Sequence, residues 1–199
     1  RVLLAASASE CIHRVTAWQA RLGARHVAVP KHAYGDYAHA ARAWGLAVGQ
    51  GEAAMAHADL IWACEPSSPL GGAQPHWPYA LIDGDLTVAR PTVVLDGAYA
   101  PLRLSGTPSL GNAQLHRVWQ LFSPNKALGL TGVRAAYAIA PLGCEEAVTE
   151  LDALAPSWTI GAHGVAMLEA WTWPEVHAWL DRSRATLRQW KVRQIECLT

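Results

Sequence analysis

The stretch L-F-S-P-N-K-A-L-G-L-T-G-V-R-A-A-Y-A-I-A-P, residues 121–141, joins two short apolar runs through a turn that holds a single lysine, Lys126. The runs at 116–122 and 133–140 are typical of strands, because both are short, apolar and bounded by turn-forming residues. The turn between them is otherwise small and apolar, so Lys126 is predicted to be a buried amine. Buried amines in proteins usually serve chemistry, since burial disfavours their charged form.

The rest of the chain alternates short apolar runs with helical patterns. Strands are predicted at 2–6, 26–30, 46–49, 59–65 and 91–99. Helices are predicted at 9–22 with Ser9 as the N-cap, at 35–44 and at 52–58, and the pattern is helical from Cys144 onward. Pro174 suits the first turn of a long last helix. This alternation predicts an α/β fold, with a mostly parallel sheet sandwiched between helices.

Composition narrows the class of protein and of partner. Of 199 residues, 51% are hydrophobic and 16% are charged, which predicts a globular chain with a sizeable core. Sixteen basic and sixteen acidic residues cancel, so neither nucleic acid nor a membrane is expected as a partner. The four cysteines lie far apart without a C-x-x-C pair, which predicts reduced thiols and a cytoplasmic protein. The histidines show no ligand spacing, so no metal site is expected.

Polar residues follow the predicted strands at the ends where parallel sheets bind ligands. Ser7, Ser68, Asp96 and Ser123 each follow an apolar run. Ser7 also opens a helix, whose first N–H groups suit a phosphate. An amine, an acid, a phenol and an anion site together match the needs of pyridoxal phosphate, which requires a lysine, a carboxylate for its ring nitrogen, a donor for its phenolate oxygen and a phosphate site.

The lysine segment carries a family resemblance. S-P-N-K-A-L-G-L-T-G-V-R-A-A-Y, 123–137, is similar to the pattern S-x-S-K-x-x-G-L-x-G-x-R-x-G-Y of the class I/II aminotransferases, the fold type I enzymes that use pyridoxal phosphate. The nearest branch holds histidinol-phosphate aminotransferase and threonine-phosphate decarboxylase. The residues in register are Ser123, Lys126, Gly129, Leu130, Gly132, Arg134 and Tyr137.

Three further stretches occur in the order of that family. P-K-H-A-Y-G-D-Y, 30–37, looks like its P-x-x-Y-x-x-Y segment. E-P-S-S-P-L-G, 65–71, looks like its N-P-N-N-P-T-G loop, and V-V-L-D-G-A-Y, 93–99, is similar to its D-E-A-Y. The resemblance covers nearly the whole chain and implies the large, pyridoxal-phosphate-binding domain of fold type I.

The resemblance also implies a role for each matching residue. Lys126 would form the Schiff base and move the proton, Asp96 would pair with the pyridinium nitrogen, and Tyr99 would donate to the phenolate oxygen. The resemblance assigns Ser123, Arg134 and the backbone N–H groups of Ser7 and Ala8 to the phosphate. It places Tyr34 against the ring and Ser68 near the phenolate oxygen.

The chain departs from the family pattern at four positions, one of which is Ser7, where the first phosphate loop of the family usually opens with a glycine. Ser68 replaces the asparagine that contacts the phenolate oxygen, Gly97 replaces the acid of D-E-A-Y, and Asn125 replaces the second serine before the lysine. These changes leave open an alternative in which the chain binds the cofactor without turnover.

The implied function is aminotransfer between an amino acid and a 2-oxo acid through Lys126. Two alternatives stay open: a decarboxylase of the threonine-phosphate type, and a truncated, non-catalytic cofactor-binding module. The resemblance implies a homodimer. It divides the chain into a cofactor-binding domain at 1–173 and the start of an interdomain helix at 174–199, with the small C-terminal domain of the family absent.

Ten tryptophans are unusual for this length, and half of them crowd the last fifth of the chain. Two interpretations apply, packing between helices or a surface that docks a further domain or subunit.

Overall fold

Seven strands form one sheet in the computed structural model, which describes residues 1–84 and 91–199. Their bounds are β1 Val2–Ala5, β2 His26–Val29, β3 Ala47–Gln50, β4 Leu60–Cys64, β5 Thr92–Asp96, β6 Trp119–Phe122 and β7 Ala136–Ile139. The order is β1-β7-β6-β5-β4-β2-β3, and β7 alone of these runs against its neighbours. The predicted α/β fold with a mostly parallel sheet is therefore confirmed.

The helices lie between the strands and after the last of them. Their bounds are α1 Ala8–Arg21, α2 Gly35–Ala43, α3 Gly51–Met55, α4 Tyr79–Asp83, α5 Asn112–Leu115, α6 Glu145–Ala153, α7 Ala162–Trp171 and α8 Pro174–Leu198. Within the described ranges, no helix is both long and apolar enough to cross a membrane.

The predicted N-cap of α1 is wrong by two residues. Ser7, not Ser9, caps the helix, because its backbone is extended and its hydroxyl accepts a hydrogen bond from the N–H of Glu10 at 3.1 Å. The helix therefore begins at Ala8, directly after the turn that leaves β1.

The central strand β4 is buried on both faces, as expected of a parallel strand covered by helices. All five residues of β4 are buried, and they alternate between the two faces. Leu60, Trp62 and Cys64 pack into the larger cluster, which includes side chains of α1, α2 and α6. Ile61 packs into a smaller cluster on the opposite face. This sandwich presents the carboxyl ends of the parallel strands at one edge.

The tryptophans near the carboxyl end do not pack between helices as a group. Trp158 is 93% exposed and Trp190 is 60% exposed, while Trp173 and Trp179 are also exposed. The packing interpretation is wrong for these four side chains, and α8, which holds Trp179 and Trp190, buries only Leu180 among its residues. The division of the chain at residue 174 stays a prediction, although α8 does begin at Pro174.

Candidate functional site

One cleft at the carboxyl ends of the strands collects the predicted residues. Its empty volume, which includes space open to solvent, is about 530 Å³. Every side chain assigned from the resemblance lines it: Ser7, Ala8, Tyr34, Ser68, Asp96, Tyr99, Ser123, Lys126 and Arg134. Ser9, Cys64, Ala98 and Asn125 line it as well, and the resemblance assigned none of these four to cofactor binding.

Asp96 ends β5 and forms the floor of this cleft. Its side chain is buried, with 5% of the residue exposed. One carboxylate oxygen, Oδ2, accepts a hydrogen bond from the Tyr37 hydroxyl at 2.6 Å, and Oδ1 accepts one from the N–H of Ala98 at 2.9 Å. Burial raises the pKa of the Asp96 carboxyl, while these two bonds and the charge of Lys126 oppose that rise.

Tyr37 is a functional candidate that sequence reasoning missed. It lies in α2, is fully buried and stacks on Trp62 with ring centroids 4.9 Å apart and an interplanar angle of 6°. This stacking directs its hydroxyl at Asp96. Tyr37 is the second tyrosine of the motif P-K-H-A-Y-G-D-Y, so the motif could have identified it, but the resemblance assigned it no role.

Lys126 is exposed, so the prediction of a buried amine is wrong. The chain after β6 folds into a tight turn, in which the N–H of Lys126 bonds to the Ser123 carbonyl at 3.2 Å. Ala127 turns into the core, and Lys126 lies along the cleft instead. Gly129 closes the turn at a φ of +67°, a conformation that residues with a side chain rarely adopt.

Asn125 braces this turn from inside. Its Oδ1 accepts a hydrogen bond from the Ser123 hydroxyl at 2.7 Å, and its Nδ2 donates to the Val133 carbonyl at 3.3 Å. Both Ser123 and Asn125 are buried. The departure from the family pattern at position 125 thus places a structural amide beside the predicted phosphate site and occupies the hydroxyl proton of Ser123.

The amino end of α1 supplies backbone donors to the cleft. Ala8 and Ser9 stand in its first turn, where N–H groups have no partner inside the helix. Glu10 braces the turn before them, because its Oε2 accepts from the Ala6 N–H at 3.2 Å and from Arg14 Nη2 at 2.8 Å. A helix of this length also carries a favourable dipole for an anion at that end.

The remaining walls are aromatic and small. Tyr34 is partly exposed, and its hydroxyl lies 3.2 Å from Ser9 Oγ. Tyr99 and Ser68, which follow β5 and β4 along the chain, also line the cleft. Gly97 sits behind this wall, where an added Cβ would lie 2.8 Å from the Phe122 ring. A larger residue at position 97 therefore requires Phe122 to move.

Comparison with solved structures agrees with this fold. A protein from Erwinia carotovora atroseptica, provisionally described as a histidinol-phosphate aminotransferase, superposes with a TM-score of 0.79 at 20% identity, over 99% of this chain and 62% of its own. The histidinol-phosphate aminotransferase of Sinorhizobium meliloti, solved with pyridoxal-5'-phosphate, matches with a TM-score of 0.69 at 18% identity, over 94% of this chain and 54% of its own.

The threonine-phosphate decarboxylase branch matches as well. L-threonine-O-3-phosphate decarboxylase of Porphyromonas gingivalis superposes with a TM-score of 0.68 at 20% identity, over 84% of this chain and 54% of its own. No protein-family model matches the sequence, and no curated protein matches it significantly.

These matches define the class of fold. The chain has the fold of the pyridoxal-phosphate-dependent enzymes of fold type I, as the resemblance implied. It spans 54% to 62% of the length of these three structures. At this level of identity the likeness concerns the fold.

Proposed function

We propose that the chain is the pyridoxal-phosphate-binding domain of an aminotransferase-type enzyme that acts on an amino acid through Lys126. The observation that carries this proposal is the position of Asp96. A buried carboxylate lies on the floor of the same cleft whose wall holds an exposed amine, a phenol and an arginine.

The donor set of the cleft fits this cofactor. The phosphate would bind to the N–H groups of Ala8 and Ser9, rather than those of Ser7 and Ala8, because Ser7 is the N-cap and the helix begins at Ala8. Arg134 would supply the neutralising charge. Ser123 would accept or donate beside them once its hydroxyl turns from Asn125. Tyr34 would lie against the ring. Backbone donors and a single guanidinium suit a dianion better than a larger or neutral group.

When bound, pyridoxal phosphate supplies an electron sink that stabilises negative charge at the α-carbon of an amino acid. Asp96 would hold the proton on the ring nitrogen, because a buried carboxylate with limited other partners binds a cation strongly. Tyr37 and the Ala98 N–H would keep that carboxylate in place.

Lys126 would carry the proton at the reacting carbon. An amine on a turn with an exposed side chain has room to move between two positions, as proton transfer requires. Tyr99 would donate a hydrogen bond from its phenol to the phenolate oxygen, and the Ser68 hydroxyl could share that oxygen.

The test is a visible absorption spectrum of the purified chain after incubation with pyridoxal phosphate. We expect a band that persists through gel filtration and is bleached by borohydride. Lys126→Ala should abolish it, and Lys31→Ala, which removes an exposed lysine outside the cleft, should retain it. A protein that cannot be loaded would refute the proposal.

A second candidate reaction is decarboxylation, favoured by the match to the decarboxylase from Porphyromonas gingivalis. The two reactions differ in product. Incubation of the loaded chain with O-phospho-L-threonine releases carbon dioxide in the second case, whereas aminotransfer leaves a 2-oxo acid and the amine form of the cofactor. Loading without either product would support a non-catalytic module.

A further inference from the structure

A second cleft continues from the first. Ser68 and Tyr99 line both, so the two share a wall. The second cleft has about 960 Å³ of empty volume and opens to solvent. Its apolar walls come from two loops, and they are Pro66, Pro69, Leu102 and Leu104. Among the described residues that line it, there is no carboxylate.

The charge in this second cleft is positive. Arg103 lines it, but Glu65 neutralises this guanidinium through a contact of 2.9 Å between Arg103 Nη2 and Glu65 Oε1. Lys191 lines it too and has no acidic partner within salt-bridge distance in the described ranges. One uncompensated amine therefore faces a cleft that adjoins the predicted reaction centre.

The position of Lys191 follows from how α8 is attached. Arg184 Nη1 donates to the Pro101 carbonyl at 3.1 Å, and Arg188 Nε donates to the Leu104 carbonyl at 2.7 Å. Residues spaced by four and three along a helix share one face. These two bonds set the rotation of α8 and bring Lys191, three residues further on, against the same loop.

We propose that this second cleft binds an anionic group of the amino-acid substrate, with Lys191 as the specificity-determining cation. This inference rests on the proposed function. An amino acid whose nitrogen lies at Lys126 must place at least one anion nearby. Among the described residues, Lys191 is an amine without an acidic partner, and it lines the cleft that shares the wall of Ser68 and Tyr99.

Two chemical sources could supply that anion, the α-carboxylate or an acidic group on the side chain. The loaded chain is titrated with two matched pairs while the visible absorption is recorded. L-alanine against ethylamine isolates the α-carboxylate, and O-phospho-L-threonine against L-threonine isolates a side-chain phosphate. Lys191→Gln should weaken binding of the anionic ligand of one pair about tenfold, which is the scale of one hydrogen bond to a charged group. Binding of the other ligand in that pair should not change.

Three controls make the result decisive. Arg193→Gln removes an equal charge from the same helix at a residue outside the cleft and should change neither pair. Lys191→Arg should retain most of the discrimination. A calorimetric titration of the borohydride-reduced chain with succinate reads anion binding without turnover, and Lys191→Gln should weaken it by a similar factor.

The outcomes separate the two proposals. Equal weakening of both members of each pair, or no effect of Lys191→Gln, overturns the inference while the proposed function stands. A wild-type chain that gains no visible band with the cofactor overturns the proposed function, and this inference with it.

Discussion

Asp96 is a carboxylate whose nearest side-chain donor is a phenol rather than a cation. Tyr37 donates to it at 2.6 Å, and Trp62 holds that tyrosine by stacking. The family resemblance identified Asp96 from its motif, but it assigned no residue to orient it. The orienting group comes from α2, far away in the sequence, and only packing brings it to β5.

Tyr37→Phe should destabilise the cofactor-free chain by about 1–3 kcal/mol, because a buried carboxylate oxygen loses its donor. Burial already raises the pKa of Asp96, and loss of the phenol raises it further. A carboxyl whose folded pKa is raised contributes stability below its ordinary pKa and loses it as pH rises through the raised value. The destabilisation should therefore grow from pH 4 to pH 8, as measured by urea unfolding.

Asp96→Asn provides the matched control for that prediction. With no ionisable group at position 96, the cost of Tyr37→Phe should no longer depend on pH. Asp96→Asn should also remove the pH-dependent penalty of the buried charge while abolishing tight cofactor binding. If Tyr37→Phe still lowered the free energy of unfolding by a pH-dependent amount in the Asp96→Asn background, the pH dependence could not come from Asp96.

At the scale of elements, α7 supports the segment that carries Arg134. Gly164 lies against it, and an added Cβ would stand 2.6 Å from the Arg134 carbonyl oxygen and 2.6 Å from Ile160 Cγ2. Because the first of these atoms belongs to the backbone, a side chain at position 164 must displace the segment. The approach of α7 therefore sets where Arg134 emerges.

Gly164→Ala should cost about 1–3 kcal/mol of stability through overpacking. It should also weaken the binding of pyridoxal phosphate more than the binding of pyridoxal, because Arg134 is expected to contact the phosphate, which pyridoxal lacks. Gly35→Ala is the control, because a Cβ there meets nothing within 4 Å. Fluorescence titration with both ligands checks this, and equal weakening of the two would argue against a role in phosphate binding.

A buried glutamate connects the loop after β4 with the loop after β5. Glu65 Oε1 accepts from Arg103 Nη2 and from the Ser109 N–H, both at 2.9 Å, and Oε2 accepts from the Gln74 N–H at 3.2 Å. Burial alone would raise the pKa of Glu65, but these bonds outweigh it and lower the pKa below the ordinary 4.5.

Glu65→Gln should destabilise the chain by about 2–3 kcal/mol at pH 7, the scale of hydrogen bonds to a charged group. A lowered carboxyl pKa contributes stability above the ordinary value and loses it as pH falls through the folded value. The difference from wild type should therefore shrink below about pH 4.5. Urea unfolding at pH 7 and pH 4 measures it, and a constant difference would contradict the network.

At the scale of the whole molecule, large apolar side chains remain uncovered near the carboxyl end. Trp158, Trp173, Trp179 and Trp190 are all exposed. Large exposed apolar surfaces often mark sites that associate with protein. The homodimer implied by the family resemblance would give such a surface a partner.

We expect sedimentation velocity at micromolar concentration to show a dimer. Trp190→Ser should shift the distribution toward monomer, whereas Trp44→Ser, an exposed tryptophan in the turn after α2, should not. A monomer at all concentrations would contradict the prediction.

Local sequence patterns predicted all seven strands and the α/β class of fold but not the short helices α4 and α5, and the family resemblance supplied the nine residues that line the cleft. Periodicity and turn chemistry are local properties, and motif residues that follow parallel strands necessarily meet at one edge of the sheet. Ser68, Asp96 and Ser123 were found in this way.

Only the tertiary structure decided the exposure of Lys126, the buried bond from Tyr37 to Asp96, and the approach of Lys191 to the second cleft. Each of these depends on residues distant in sequence or on which way a turn faces. Local patterns carry no information about such choices, because the free energy that decides them comes from packing between elements.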